Sequence, residues 1–167
     1  MTEAVKIRRA TPKDREAIAG LWRELMDLHR DLDPKGFALA DDALTVWFDI
    51  LDKRMTDEDC LLLVAEAEKA VVGFMKGSIA EDSPVLAHRR HGYVGETCVA
   101  EEWRRRGVGR RLYQRLVEWF RERGMKEIRL HISAFNPVSD SFWRALGFSP
   151  YLVHMRCPLD VPGGDDK

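Results

Sequence analysis

The sequence has only three cysteines, Cys60, Cys98 and Cys157, far apart and without a CxxC pair. An odd, scattered set is neither a disulfide framework nor a cysteine-based zinc site. No metal is expected, and a reducing, cytoplasmic setting is. No apolar run approaches membrane-spanning length, and TEAVKIRR after Met1 lacks the apolar core of a secretory leader, so no membrane association is expected. Neither sign of charge dominates. Lys and Arg number 27 against 28 Asp and Glu, for a net charge of −1. This balance removes any global pull toward nucleic acid or an anionic membrane, so an anion site has to be local. Internal repeats and low-complexity segments are also missing.

What is present suits one packed domain. Hydrophobic residues make up 45% of 167, enough for a single core. The expected domain spans residues 5–158, and residues 159–167, ending in VPGGDDK, form a frayed tail. Val5 and Ile7 alternate with charged residues as a first strand. Thr11-Pro12 reads as a cap followed by proline at the first helical position. Ile18, Leu21, Trp22, Leu25 and Leu28 then predict a helix to about His29. Asp31–Phe37 is a loop, and Leu44, Trp47, Phe48 and Leu51 mark a second helix. Leu61–Ala65 and Val71–Ile79 form a hairpin around Ala67–Ala70. A polar loop, Asp82–His91, leads to a strand over Tyr93–Val99. Val108, Leu112, Leu116 and Phe120 stripe a third helix, which Gly124 ends. Ile128, Leu130 and Ile132 alternate as a strand. Asn136-Pro137 opens a short helix stopped by Gly147, and Phe148–Cys157 is a last strand or strand pair. The order is β-α-α-β-β-β-α-β-α-β, a mixed α/β domain, and the strand–helix–strand unit around Arg104–Ser133 implies a parallel pair with a crossover helix.

The segment between the Tyr93–Val99 strand and the third helix reads RRRGVGRR, Arg104 to Arg111. The first N–H groups of a helix lack internal partners and sit at its positive dipole end. Gly107 and Gly109 lack a Cβ, which allows a ligand close to the backbone. This is the chemistry of a pyrophosphate site, with flanking arginines adding charge. A solvated arginine cluster and a nucleic-acid patch are the competing readings, and the second sits poorly with a neutral chain. Gly109-Arg110 is not the Gly-Lys-Ser/Thr of a P-loop, and two glycines do not complete a GxGxxG fingerprint.

Arg104-x-x-Gly107-x-Gly109, preceded by CVAEEW with Val99 at the strand end, resembles the acetyl-CoA loop of the GNAT N-acetyltransferase superfamily. NPVSDSFWRALGF, Asn136 to Phe148, resembles its second motif, and the element order agrees over nearly the whole chain. The resemblance implies a single-domain GNAT-like fold with a mostly antiparallel sheet and a parallel pair of its fourth and fifth strands. It implies an acetyl-CoA-dependent N-acetyltransferase acting on a primary amine, attacked directly in a ternary complex. Acetyl-CoA as cosubstrate would be held by Cys98, Val99, Arg104, Arg105, Arg106, Gly107, Val108, Gly109, Arg110, Asn136 and Trp143. The Val99 N–H would polarise the thioester carbonyl. Asn136 could contact the pantetheine arm, cap its helix, or do both.

Catalytic roles implied by the resemblance fall to Glu96, Val99 and Trp143. Glu96 is either the base that deprotonates the amine or an ordinary ion-paired strand residue. His131 is a further candidate, since histidine as a residue type changes charge near neutrality. Trp143 stands where many members have an acidic tyrosine. An indole N–H donates but is no useful acid, so Trp143 either touches the CoA sulfur or packs in the core. A non-catalytic CoA-binding module is the alternative reading of that replacement. The acceptor site is implied around His29–Asp42, Asp82–His91 and Tyr151. Acidic residues in the first loop and His88, Arg89, Arg90 and His91 in the second suggest an amino-acid, peptide or small-amine acceptor. Monomer and homodimer are both open.

Overall fold

The computed structural model describes residues 5–159, so most of the 159–167 tail lies outside the described residues. Strand β1 (Lys6–Arg9) leads through a 3-10 turn (Pro12–Asp14) into α1 (Arg15–Leu32), followed by α2 (Ala43–Thr56). Strands β2 (Cys60–Ala67), β3 (Ala70–Glu81) and β4 (Arg90–Val99) come next. A second 3-10 turn (Glu101–Trp103), α3 (Val108–Glu122), β5 (Ile128–Leu130) and α4 (Pro137–Arg144) complete the order. The strands lie side by side as β1-β2-β3-β4-β5, antiparallel except for the parallel β4/β5 pair.

Two cores sandwich this sheet. On one face, α3 lays Val108, Leu112, Leu116 and Phe120 on Leu61, Leu63, Met75 and Val94, all buried. Two glycines set that distance: a Cβ on Gly77 would lie 2.3 Å from Leu116 Cδ1, and one on Gly92 would lie 2.8 Å from the Phe120 ring. On the other face, Ile18, Ala19, Leu21 and Trp22 of α1 and Trp47 and Leu51 of α2 cover Leu62, Val64, Phe74 and Cys98. The expected apolar stripe of α1 is thus right at its N-terminal half, while Leu28 remains exposed.

The turn between β2 and β3 uses Glu68 and Lys69 at φ of 50° and 65°, the two-residue left-handed geometry whose twist matches a hairpin. At the start of α1, the Asp14 carboxylate accepts from both terminal nitrogens of the Arg8 guanidinium at 2.8 Å and from the Thr11 N–H at 2.7 Å. Arg8 also donates to Glu66. Buried there, Asp14 is held at a pKa of about 2, chiefly by its hydrogen bonds from Arg8.

The final strand expected over Phe148–Cys157 does not form among the described residues; the chain runs on without regular pairing after α4. Phe148 turns inward onto Trp143 and Tyr113. Pro150 and Pro158 offer no N–H to a ladder, and β5 provides only three residues of edge. Side chains anchor this segment instead. Tyr151 lies under the Arg129 guanidinium, His154 against His131, and Arg156 on Asp33 at 3.0 Å.

Candidate active site

The site is built where β4 and β5 part. They pair from Gly92/Ile128 to Val94/Leu130, and then β5 ends. Strand β4 continues to Val99 through a bulge in which Gly95 and Glu96 oppose the single residue Lys76 of β3. A wedge therefore opens beyond Val94, with α3 starting at its wide end.

Hydrogen-bond alternation decides which main-chain groups face the wedge. Ala100 N–H donates to the Val72 carbonyl at 2.9 Å, and Gly73 lies opposite Val99. Along an antiparallel pair, bonded and non-bonded positions alternate. Val99, and Thr97 two residues earlier, are therefore non-bonded positions whose N–H groups point away from β3, into the wedge. Cys98 lies between them, in the bonded position opposite Phe74. Its thiol is buried on the α1/α2 side, and burial pushes its pKa up to about 11. Among the residues expected to hold the cosubstrate, Cys98 thus offers the wedge neither its side chain nor its N–H. Thr97 offers an N–H that no sequence motif had marked.

In the loop after Val99 the two glycines divide the labour. Gly107 caps α3 at φ 79°, and nothing lies within 4 Å of where its Cβ would be. Arg105 is also left-handed, at φ 64°. Gly109 serves packing: a Cβ there would lie 3.1 Å from Phe142. Arg104 N–H bonds back to Glu101, and Arg111 N–H is the first of the helix to bond, to Gly107. Between them, the six N–H groups from Arg105 to Arg110 donate to no acceptor among the described residues. Six consecutive free donors at a helix start are an arrangement suited to an anion.

The arginines are not equivalent. Arg104 donates from Nε to the Val99 carbonyl at 2.9 Å and pairs with Glu24 of α1, so it braces the loop. Arg106 covers the Trp103 ring. Arg105 and Arg110 are not buried and form no ion pair among the described residues.

Asn136 accepts a hydrogen bond from Ser139 N–H at 3.0 Å and caps α4; its amide N–H₂ remains available to donate. Trp143 is 7% exposed and edge-packed on Tyr113, Phe142 and Phe148, with centroids 5.8, 4.9 and 5.4 Å away. The core reading therefore describes it. Phe142, next to Gly109 and partly exposed, is the aromatic that meets the loop.

Glu96 points to the α1/α2 face of the wedge. Its carboxylate takes Lys76 Nζ at 2.5 Å and the Trp47 indole N–H at 3.2 Å. Trp47 in turn stacks on Trp22, with centroids 4.7 Å apart. Each carboxylate oxygen thus has one donor and keeps room for another. Tyr93 stands on the same face, opposite Ser78, and its hydroxyl lies 2.9 Å from His131 Nδ1. His131 follows the last residue of β5. Lys76, Trp47 and Tyr93 had no marker in the sequence, because only the bulge and the strand pairing bring them to Glu96.

Among the described residues no group of three or more His, Cys, Asp or Glu side chains is arranged to hold a metal, and no helix is long and apolar enough to cross a membrane. Residues 22–148 match the family model described as the acetyltransferase (GNAT) family. An aminoglycoside N(6')-acetyltransferase type 1 from Stenotrophomonas maltophilia is 28% identical over 174 aligned residues, spanning 96% of this chain and 97% of that protein. Among solved structures, a mutant of the BH1408 protein from Bacillus halodurans superposes with a TM-score of 0.84 at 22% identity, over 92% of this chain and 99% of that one. The aminoglycoside N-acetyltransferase AAC(6')-Iy, solved in complex with CoA, superposes at 0.72 and 20% identity, over 96% and 98% of the two chains. With the motif-bearing loop, the parted strands and the family match in agreement, this chain belongs to the GNAT acetyltransferase family, whose members use acetyl-CoA.

Proposed function

We propose that the protein transfers the acetyl group of acetyl-CoA to a primary amine of a small, cationic acceptor by direct attack in a ternary complex. The observation that carries this reading is the run of six free N–H groups, Arg105 to Arg110, at the start of α3. A pyrophosphate there would meet fixed dipoles, with the unpaired Arg105 and Arg110 adding charge-assisted contacts. The pantetheine arm would then lie along β4 in the wedge, within reach of the Asn136 amide. The N–H groups of Val99 and Thr97 would donate to it and to the thioester oxygen, where negative charge develops in the transition state.

The acceptor would enter from the α1/α2 face. Asp31, Asp41 and Asp42 rim that side and form no ion pair among the described residues, whereas Asp33 is taken by Arg156 and Arg89 by Glu81. The unpaired carboxylates of the first loop suit a cationic amine, while Arg90 of the second loop also remains without an ion pair among the described residues. Glu96, with a vacant lone pair on each oxygen, would draw the ammonium to the wedge. The full-length relative named for aminoglycoside acetylation places that class first among acceptors to try.

The test is CoA release from acetyl-CoA, read with a thiol reagent, across aminoglycosides, polyamines, amino acids and peptides. Release above the hydrolysis blank with one class is expected and identifies the acceptor. Acetyl-CoA binding with silence across every class would favour a non-catalytic CoA-binding module instead.

A further inference from the structure

The reaction needs a proton acceptor for the incoming ammonium, and Glu96 is poorly placed to be it. Its carboxylate already holds Lys76 Nζ and the Trp47 indole N–H, an arrangement that suits it to hold the ammonium by a further hydrogen bond. A second polar pair shares this face. Tyr93 Oη and His131 Nδ1 are 2.9 Å apart, at the apex of the wedge where β4 and β5 separate. Burial, and secondarily the charge of nearby Glu96, raise the Tyr93 phenol above its ordinary pKa. The hydroxyl therefore keeps its proton and can hand it on only while receiving another. His131 is exposed, so a proton arriving there has a route to water.

We propose that Tyr93 and His131 form the relay that deprotonates the acceptor amine, with Tyr93 touching the ammonium and His131 acting through it. This rests on the transferase reading above. The ammonium gives one proton to Tyr93 Oη as the Tyr93 proton passes to His131 Nδ1. The neutral amine then attacks the thioester carbon; a C–N bond forms, and the C–S bond breaks with its electron pair on sulfur. The second amine proton goes to that sulfur, giving the CoA thiol. The imidazolium releases the first proton to solvent. One proton thus ends on CoA and one in water, and the nitrogen keeps one as the amide N–H.

The charged and titratable groups around the pair come from every neighbouring element. They are Glu96 on β4, Lys76 on β3, Arg129 on β5 and His154 on the segment after α4. Arg129 is held by Asp82 and Glu127. His154 lies against His131 with ring centroids 4.9 Å apart.

Two measurements on the full chain test the relay. The first needs no acceptor: long-range ¹H–¹⁵N spectra of the imidazoles in the acetyl-CoA-loaded protein, with Tyr93→Phe to assign the affected ring. The relay requires Nδ1 of His131 to be unprotonated and its signal to shift in Y93F. A proton on Nδ1, with the ring donating to Tyr93, would overturn it, because that ring could accept nothing from the hydroxyl. The second uses the aminoglycoside kanamycin as probe amine, or the best amine of the panel if kanamycin is silent. Tyr93→Phe and His131→Gln should each lower kcat/KM by about 10²-fold near neutral pH, with the deficit shrinking as rising pH deprotonates the amine unaided. Glu96→Gln should weaken acceptor binding and keep the acid limb of the profile. An acid limb lost in E96Q and kept in Y93F would transfer the role to Glu96. Titration of acetyl-CoA into the same proteins separates the two failures: no binding by the wild type sinks the transferase reading, whereas normal binding with an unfavourable tautomer sinks only the relay.

Discussion

For single residues, placement decides between roles that residue type leaves open. Trp143 shares a motif with Phe142, yet helical geometry turns the indole into the aromatic cluster and leaves Phe142 against Gly109. Asn136 caps α4 whatever else it does. Asp14 shows the same dependence on context. Its folded pKa of about 2, against 3.8 for the free group, stabilises the fold by about 2 kcal/mol. The carboxylate is depressed, so this stability is complete above about pH 4 and is lost as pH falls toward 2. Asp14→Asn should accordingly lower the unfolding free energy by about 2 kcal/mol at neutral pH. Denaturant melts should show the gap between variant and wild type closing near pH 2, and a gap independent of pH would refute the linkage.

Between elements, glycines and turns govern how close the pieces approach. Gly77 lets α3 sit on the sheet, and an alanine there would drive its methyl into buried Leu116. Gly77→Ala should cost about 1–3 kcal/mol, read as a lower melting temperature, and Leu116→Ala should cost less in the Gly77→Ala background than in the wild type. At the β2–β3 turn the strain is local. Lys69, at φ 65°, carries a left-handed penalty that glycine avoids, so Lys69→Gly should stabilise by about 1 kcal/mol, read as a higher melting temperature. The periodic elements were legible in the sequence because burial of one face imposes a spacing: the α3 stripe and the hairpin around Ala67–Ala70 are where the pattern puts them. The Phe148–Cys157 strand was not legible as absent. Its alternation suits a strand, but pairing needs a long enough neighbour, and β5 stops after Leu130. The β4 bulge was equally hidden, since an extra residue shows only against its partner strand.

Across the whole molecule, the two halves of the site differ in how they are encoded. The α3 start with its free N–H groups could be marked from Arg104, Gly107 and Gly109 because it is contiguous backbone. Of the proposed acceptor side only Glu96 and His131 could be marked, because Trp47, Lys76 and Tyr93 come from α2, β3 and β4 and meet them only through the fold. Everything proposed for the reaction depends on the contiguous half, a helix start whose free N–H groups are proposed to hold the pyrophosphate of acetyl-CoA. Calorimetric titration of acetyl-CoA into the wild type and Gly107→Val probes that half on its own. A side chain at position 107 would meet open space, so the variant should fold, while φ 79° forces a β-branched residue to distort the loop at about 1–2 kcal/mol. The expected result is saturable one-to-one binding by the wild type and at least roughly tenfold weaker binding by the variant, a change of about 1.4 kcal/mol. Equal affinity in the two proteins, with the variant's fold intact, would show that the pyrophosphate is held elsewhere.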